Sequence, residues 1–490
     1  MLFAVGCAGY SKLPLNLNDT PALPRAVPEG LAEAFRRQFS LRSAIPGLEE
    51  RRSALDALDA LVRENVEAIC AAIAADFGGR SAHETQLLEI FPSLEAIGHA
   101  RRRLRGWMKP QRRATSLWFL PGRSRVMFQP LGVVGIVVPW NYPLYLAIGP
   151  IVSALAAGNR ILVKMSEAAP ATGELFARLA AKHFDPARLA VVNGDVEVAR
   201  AFVSLPFDHL LFTGSTEVGR SVMRAAAEHL TPVTLELGGK SPAIVGRGMP
   251  VAEAARRVAH GKCLNAGQTC VAPDYALVPE ERVEDFVRAA CDSIAALYPA
   301  LRDNPDYTAI INARQRDRLQ GCLDDAAAKG ARIVEVNPAG ETFAGSPKMA
   351  PRIVTGVTSD MRLMQDEIFG PILPVVAYRS LDEAIAFVNA RPRPLALYFF
   401  DHDRGAIERV VAETISGGVT VNETILHLAQ DDLPFGGVGA SGMGEYHGRA
   451  GFETFSKGKA VFFQSRLDGL ALFRPPYGRR IESLLRFLLR

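Results

Sequence analysis

The chain has 490 residues, 48% of them apolar, enough for two or three domains with sizeable cores. A net charge of +4 argues against a nucleic-acid partner, and no run nears the ~18 apolar residues of a membrane span. Six cysteines (7, 70, 263, 270, 291 and 322) form no CxxC pair and none of the nine histidines falls at a metal-ligand spacing, so a soluble cytoplasmic protein without disulfides or metal is expected.

Met1–Cys7 is apolar but short and lacks a basic flank, so it is no secretion signal; residues 1–30 read as a flexible Pro-containing tail. From Leu31 to Phe77 the pattern is helical, with Leu55, Leu58, Val62, Val66, Ile69 and Ile73 on one stripe. A second helical region runs through Leu88 to Met108. The seven Arg and Lys residues between Arg101 and Arg113 read as a solvated helix face and linker. Met127–Val138 is a β-hairpin candidate, followed by the rigid Pro139-Trp-Asn-Tyr-Pro143. Strands at 160–165, 189–192, 209–213 and 232–235 then alternate with helices at 171–183 and 218–230. That alternation predicts a parallel sheet with helices on both faces and ligands at the C-terminal ends of its strands. A second α/β unit follows Cys270, with strands at 275–278, 332–336, 372–378 and 395–400. Its helices are expected at 281–298, 314–329 and 381–390. The chain is Gly-rich from 436 to 451 and returns to strand character at 459–464. Residues 479–490 form an amphipathic helix, with Ile481, Leu484, Leu485 and Leu488 on one face and arginines on the other. Docking on a protein surface is its first reading, weak contact with a membrane surface its second.

Chemistry concentrates between Thr231 and Cys270. Cys270 ends the run Asn265-Ala-Gly-Gln-Thr-Cys270, and Glu236 opens Glu236-Leu-Gly-Gly-Lys-Ser-Pro242. A thiol is a strong nucleophile as thiolate, and a carboxylate can activate it or the water that later releases product. A strand and a helix span the thirty-four residues between them, so a strand–helix return can bring the two together. Asn141 offers an amide donor on a rigid loop, which an oxyanion needs; by itself, Asn between prolines is an ordinary turn residue. Gly214-Ser-Thr-Glu-Val-Gly219 lies where a strand hands over to a helix, a place that suits a pyrophosphate and equally a plain N-cap. The formal GxGxxG at Gly437–Gly442 has no preceding strand and is rejected. Lys164 and Glu167 at a strand end suit the hydroxyls of a ribose, and the carboxylate disfavours a 2′-phosphate; the plain alternative is a surface ion pair. Glu367 and Phe369 stand two apart before Gly370-Pro371, where they can hold a ribose and flank a flat ring or simply make a turn.

PWNYP (139–143), FTGSTEVGR (212–220), ELGGKSP (236–242), NAGQTC (265–270) and EIFGP (367–371) stand in the order of the aldehyde dehydrogenase superfamily, which the chain resembles over residues 31–465. The tail LPFGGVGASGMGEYHG (433–448) resembles the class-3 branch, and PLGVVGIVVPWNYPLYLAIGPIVSALAAGN with VKMSE its bacterial coniferyl aldehyde dehydrogenases. A departure is Met165, where many members have proline. The resemblance implies Cys270 as nucleophile, Glu236 as general base, and Asn141 with the Cys270 backbone N–H as oxyanion hole. For the cofactor, NAD with NADP as alternative, it implies Trp140, Lys164, Glu167, Gly214, Ser215, Thr216, Glu217, Val218, Gly219, Glu367 and Phe369. It also implies an α/β fold in three parts: a Rossmann-like coenzyme domain (31–122 and 137–236), a catalytic domain (237–432) and a small β oligomerisation arm (123–136 and 455–465). Residues 466–490 form a C-terminal extension. The expected partners are an aldehyde and a sister subunit, in a homodimer or tetramer joined by edge addition of the arm. A coenzyme A-acylating enzyme and a non-catalytic binding protein on the same fold stay open, although the acylating reaction has no use for Glu236.

Overall fold

The computed structural model describes residue 23, residues 27–466 and residues 473–489; Cys7 and most of the expected tail lie outside them. Two largely parallel α/β sheets and a small antiparallel one make up the architecture, in keeping with the expected fold class. The first sheet has the order Gly442–Met443, Val233–Leu237, His209–Gly214, Val133–Val137, Arg160–Lys164, Leu189–Val192, and only Gly442–Met443 runs antiparallel. Its central strands are buried on both faces and accordingly read as unbroken apolar runs. The helix Tyr145–Ala157, apolar but for Ser153 and the Tyr145 hydroxyl, is buried along its whole length.

The second sheet runs Arg332–Glu335, Arg352–Thr355, Ile372–Tyr378, Tyr275–Pro279, Pro242–Val245, Ala396–Phe400, Gly418–Val421. Pro242–Val245 follows Val233–Leu237 after four residues, so one short segment crosses between the sheets and carries Gly238, Gly239, Lys240 and Ser241. Glu236 therefore sits at the C-terminal end of a first-sheet strand and at the start of the crossing.

The hairpin expected over Met127–Val138 does not form. Arg123–Pro130 pairs antiparallel with Gln111–Arg113 and Ser456–Phe463, whereas Val133–Val137 lies between two parallel strands of the first sheet. Leu131 and Gly132 are thus a link between sheets, and residues 133–136, expected in the arm, belong to the first sheet. The physical cause is visible in composition. Arg123–Pro130 mixes charged and apolar residues and is half exposed, while Val133–Val137 must be apolar on both faces.

Asn159 fixes this link. Its Oδ1 accepts Leu131 N–H at 2.8 Å and Gly132 N–H at 3.0 Å, and its Nδ2 donates to Phe455 O at 2.8 Å, all buried or nearly so. The two long strands of the small sheet, Arg123–Pro130 and Ser456–Phe463, meet the body at this one side chain. Asn159→Ala strands two N–H groups and a carbonyl, and each buried orphan costs about 1–3 kcal/mol, so a loss of about 3 kcal/mol is expected. A lowered urea midpoint measures it; an unchanged midpoint would show that water replaces the amide.

The first helix begins at Glu29, inside the expected tail. The closing helix runs Arg479–Leu488 and buries none of its residues, so of the two surfaces expected to receive it, this chain's own or a partner's, the described part of this chain is not the one. Among the described residues, no helix is long and apolar enough to cross a membrane, and no group of three His, Cys, Asp or Glu residues could hold a metal.

Candidate active site

Cys270 and Glu236 meet where the two sheets adjoin. Cys270 Sγ donates to Glu236 Oε1 at 3.5 Å, although thirty-four residues separate them. The return that joins them is the strand Pro242–Val245, the helix Val251–Cys263 and a turn at Leu264–Gly267. Asn265 and Ala266 in this turn both have φ of 51°, an uncommon left-handed conformation for non-glycine residues. Buried hydrogen bonds hold it there: Gln268 Nε2 donates to Asn265 O at 3.0 Å and Ala309 O at 2.9 Å, and Glu84 accepts Asn265 N–H.

Burial pushes the Glu236 carboxyl up to about 7. The Cys270 thiol rises well above its ordinary range, first through burial and then through the Glu236 charge. The resting pair is thus a neutral thiol beside a carboxylate poised near neutrality, which can take the thiol proton. Glu236 Oε2 has no hydrogen-bond partner, and Thr213 Oγ1 and Tyr446 Oη, also unpartnered, approach the same carboxylate. A polar pocket beside the base is the natural place for a water.

Asn141 is buried in the loop before the helix Tyr145–Ala157. Its Nδ2 donates to Gln268 O at 3.2 Å, and its own carbonyl accepts Asn265 Nδ2 at 3.0 Å, which ties it to the Cys270 loop and leaves one amide proton for a ligand.

The residues expected at a dinucleotide gather on the same side. Trp140 and Phe369 meet edge-to-face with ring centroids 5.3 Å apart, and Phe369 is held at φ 51°. A Cβ on Gly238 would collide with the Glu367 carboxylate, so only glycine leaves that place open; burial pushes Glu367 up to about 8. Lys164 is buried, with Nζ held by Met165 O at 2.7 Å and Gly194 O at 2.9 Å. Glu167 is exposed near it, and the two form no ion pair, contrary to the plain alternative. Gly214 ends its strand, and Ser215 Oγ caps the helix Thr216–Ala227 through Val218 N–H at 3.4 Å. Thr216 Oγ1 donates to Ala440 O at 3.1 Å, while Glu217 and Val218 face solvent. Gly219 packs so closely that a Cβ there would lie 2.6 Å from the Leu237 side chain, which brings the helix start against the end of the strand bearing Glu236. A helix N-terminus, a lysine ammonium and a paired ring wall fit a nicotinamide dinucleotide.

A model of the aldehyde dehydrogenase family matches residues 29–461. The chain belongs to the aldehyde dehydrogenase family. This aldehyde dehydrogenase is 55% identical over 452 residues to a probable coniferyl aldehyde dehydrogenase of Pseudomonas aeruginosa, covering 92% of this chain and 94% of that one. It is 48% identical to the coniferyl aldehyde dehydrogenase of Pseudomonas sp. strain HR199, over 97% of this chain and 98% of the other. The solved substrate-bound AldH of Staphylococcus aureus superposes with a TM-score of 0.88 at 38% identity, covering 94% of this chain and 99% of that one. The indole-3-acetaldehyde dehydrogenase AldA of P. syringae, solved with NAD+ and IAA, gives 0.79 at 25% identity over 89% of each chain. The enzyme oxidises aldehydes, and the resemblance to the superfamily and to its coniferyl branch holds.

The motifs do not name every residue the aldehyde dehydrogenase uses here. Lys240, inside ELGGK, pairs with Asp274, and Asp274 Oδ1 accepts Ile368 N–H at 2.9 Å. Arg318 donates to Glu367 O at 3.3 Å. Together they fix the turn that bears Glu367 and Phe369. The lysine was visible in its motif, but its partners lie too far along the chain to be paired by reading. Tyr142, in the loop that bears Asn141, turns its hydroxyl to Thr269 Oγ1 at 2.7 Å and its ring to Arg80.

Proposed function

We propose that this aldehyde dehydrogenase converts an aromatic aldehyde such as coniferyl aldehyde, or a medium-chain aliphatic one, to the carboxylic acid through a thioester on Cys270, with NAD as cofactor. The Cys270–Glu236 contact at 3.5 Å inside a buried pocket carries the reading. Glu236 takes the thiol proton as Sγ bonds to the aldehyde carbon. Asn141 Nδ2 and the Cys270 backbone N–H donate to the oxyanion so formed, and removal of one such donor typically costs about 10²–10³ in turnover. When bound, the nicotinamide supplies the hydride acceptor. Loss of hydride from the oxyanion leaves the thioester. Glu236, after passing that proton to solvent, takes one from a water beside Thr213 and Tyr446; the water adds to the thioester, the thiolate leaves and is reprotonated by Glu236, and the acid departs.

Lys164 and Glu167 would hold the adenosine ribose, the Gly214–Gly219 turn the pyrophosphate, and Glu367 with Trp140 and Phe369 the nicotinamide end. The exposed Glu167 carboxylate supports NAD over NADP, because it repels a 2′-phosphate. The substrate class rests on the coniferyl aldehyde dehydrogenases to which the chain is similar. The antiparallel arm, with its outer strand Ser456–Phe463 and exposed Phe462 and Phe463, is suited to pair with a sister subunit in a homodimer or tetramer.

A kinetic panel tests this. NADH formation from coniferyl aldehyde should exceed that from short aliphatic aldehydes in kcat/KM, proceed without coenzyme A, and fall when NADP replaces NAD. Coenzyme A dependence would overturn hydrolysis by Glu236, and a preference for short aliphatic aldehydes would overturn the substrate class.

A further inference from the structure

Arg80 and Glu89 form an ion pair in which neither side chain is exposed at all, with Nη1 2.8 Å from Oε1. Glu89 lies in a five-residue π turn, Gln86–Ile90, between the short helix Ala82–Thr85 and the helix Phe91–Trp107. Such turns inside helices recur at functional sites. Glu89 Oε2 accepts Leu144 N–H at 2.8 Å and Tyr145 N–H at 3.2 Å. Those are orphan donors at the start of the helix Tyr145–Ala157, which has no side-chain cap of its own. Arg80 Nη1 also donates to Asn141 O at 3.2 Å, and its guanidinium lies 4.8 Å from the Tyr142 ring centre. Four of the five residues from 141 to 145 are therefore gripped by one pair from outside the loop. Glu84, on the same segment, accepts Asn265 N–H on the Cys270 side.

We propose that the Arg80–Glu89 pair is a positioning device for Asn141, which sets the aim of its amide at the oxyanion; this rests on the reading of Asn141 given above. A pair kept for stability alone is a weaker account. Buried ion pairs replaced by apolar residues of similar size often leave a fold as stable or more so. Here, moreover, Arg80 Nε and Nη2 are buried with no partner, a cost that a purely structural staple would not need. What the pair supplies is direction: two backbone N–H groups, one carbonyl and one ring are fixed around the donor.

The test is a double-mutant cycle on the full-length enzyme, with Glu89→Gln, Asn141→Ala and the combination. Because a displacement of about 1 Å can cost ~10²-fold in rate, Glu89→Gln is expected to lower kcat by about 10- to 100-fold with KM and NADH affinity little changed. In the Asn141→Ala background the same change should cost less than about threefold, since the group it aims is gone. Amide exchange at Leu144 and Tyr145 should accelerate in Glu89→Gln. If Glu89→Gln does not fold, Arg80→Met with Glu89→Met, which removes both charges at similar volume, takes its place in the cycle. Multiplying losses, or wild-type kcat in the charge-removed enzyme, would overturn the proposal. Wild-type turnover in Asn141→Ala alone would instead remove the oxyanion reading, and the positioning role with it.

Discussion

Cys270→Ala is expected to lower aldehyde-dependent NADH formation by at least about 10⁴-fold, because the proposed scheme runs through a bond to this sulfur. Nucleotide binding should survive, since Lys164, Glu367, Trp140 and Phe369 are held by contacts that do not involve the thiol. NADH fluorescence titration measures the binding, and absorbance measures the turnover. Wild-type rates in this variant would remove the nucleophile from the scheme. The thiol's own chemistry sharpens the expectation. Burial and the Glu236 charge hold it neutral, so a small alkylating agent should react slowly at pH 7 and faster as pH rises. In the proposed scheme the thiolate is made by proton transfer to Glu236 rather than stored.

Glu236→Gln should have the second largest effect, on a different step. The amide cannot take a proton from water, so the thioester on Cys270 should persist and be visible by intact mass after one turnover. In the wild-type enzyme the carboxyl titrates at about 7. Below that pH it is protonated and idle, so deacylation should fall about tenfold per pH unit, and above it should level off. The Gln variant should lack this limb. Stability moves with the opposite sense. Because the folded pKa is raised, the contribution of this group is full below its ordinary value of about 4.5 and is lost as pH rises through about 7. Glu236→Gln is therefore expected to unfold no earlier than wild type at pH 8. A variant with wild-type deacylation at pH 8, leaving no acyl-enzyme, would show that another group activates the water.

The residues proposed to do chemistry stand out in the sequence by type: a thiol, a carboxylate and an amide, each in a Gly- or Pro-containing run that regular structure would not use. The parallel sheets were legible for a similar reason, since a strand covered on both faces must be apolar throughout. The same rule explains the failed hairpin. Arg123–Pro130 and Val133–Val137 are adjacent in sequence and both β-rich, but only their differing polarity shows that they enter different sheets. What could not be read is contact at long range. Arg80 and Glu89 look like one cation and one anion on a helical stretch, and nothing nearby announces that their targets are Asn141, Leu144 and Tyr145. Thr213 and Tyr446 reach Glu236 from one strand away and from two hundred residues downstream.

That downstream contact bears on how the enzyme comes into being. Glu236 has Thr213 as its neighbour on one side of the sheet and Gly442 on the other. During synthesis the base is translated long before the segment that completes its surroundings. A nascent polypeptide that has left the ribosome only as far as Cys270 holds both reactive groups yet lacks Gly442 and Tyr446 to confine the carboxylate. The surroundings of the carboxylate are thus completed only once residues 442–446 have been made and have joined the sheet.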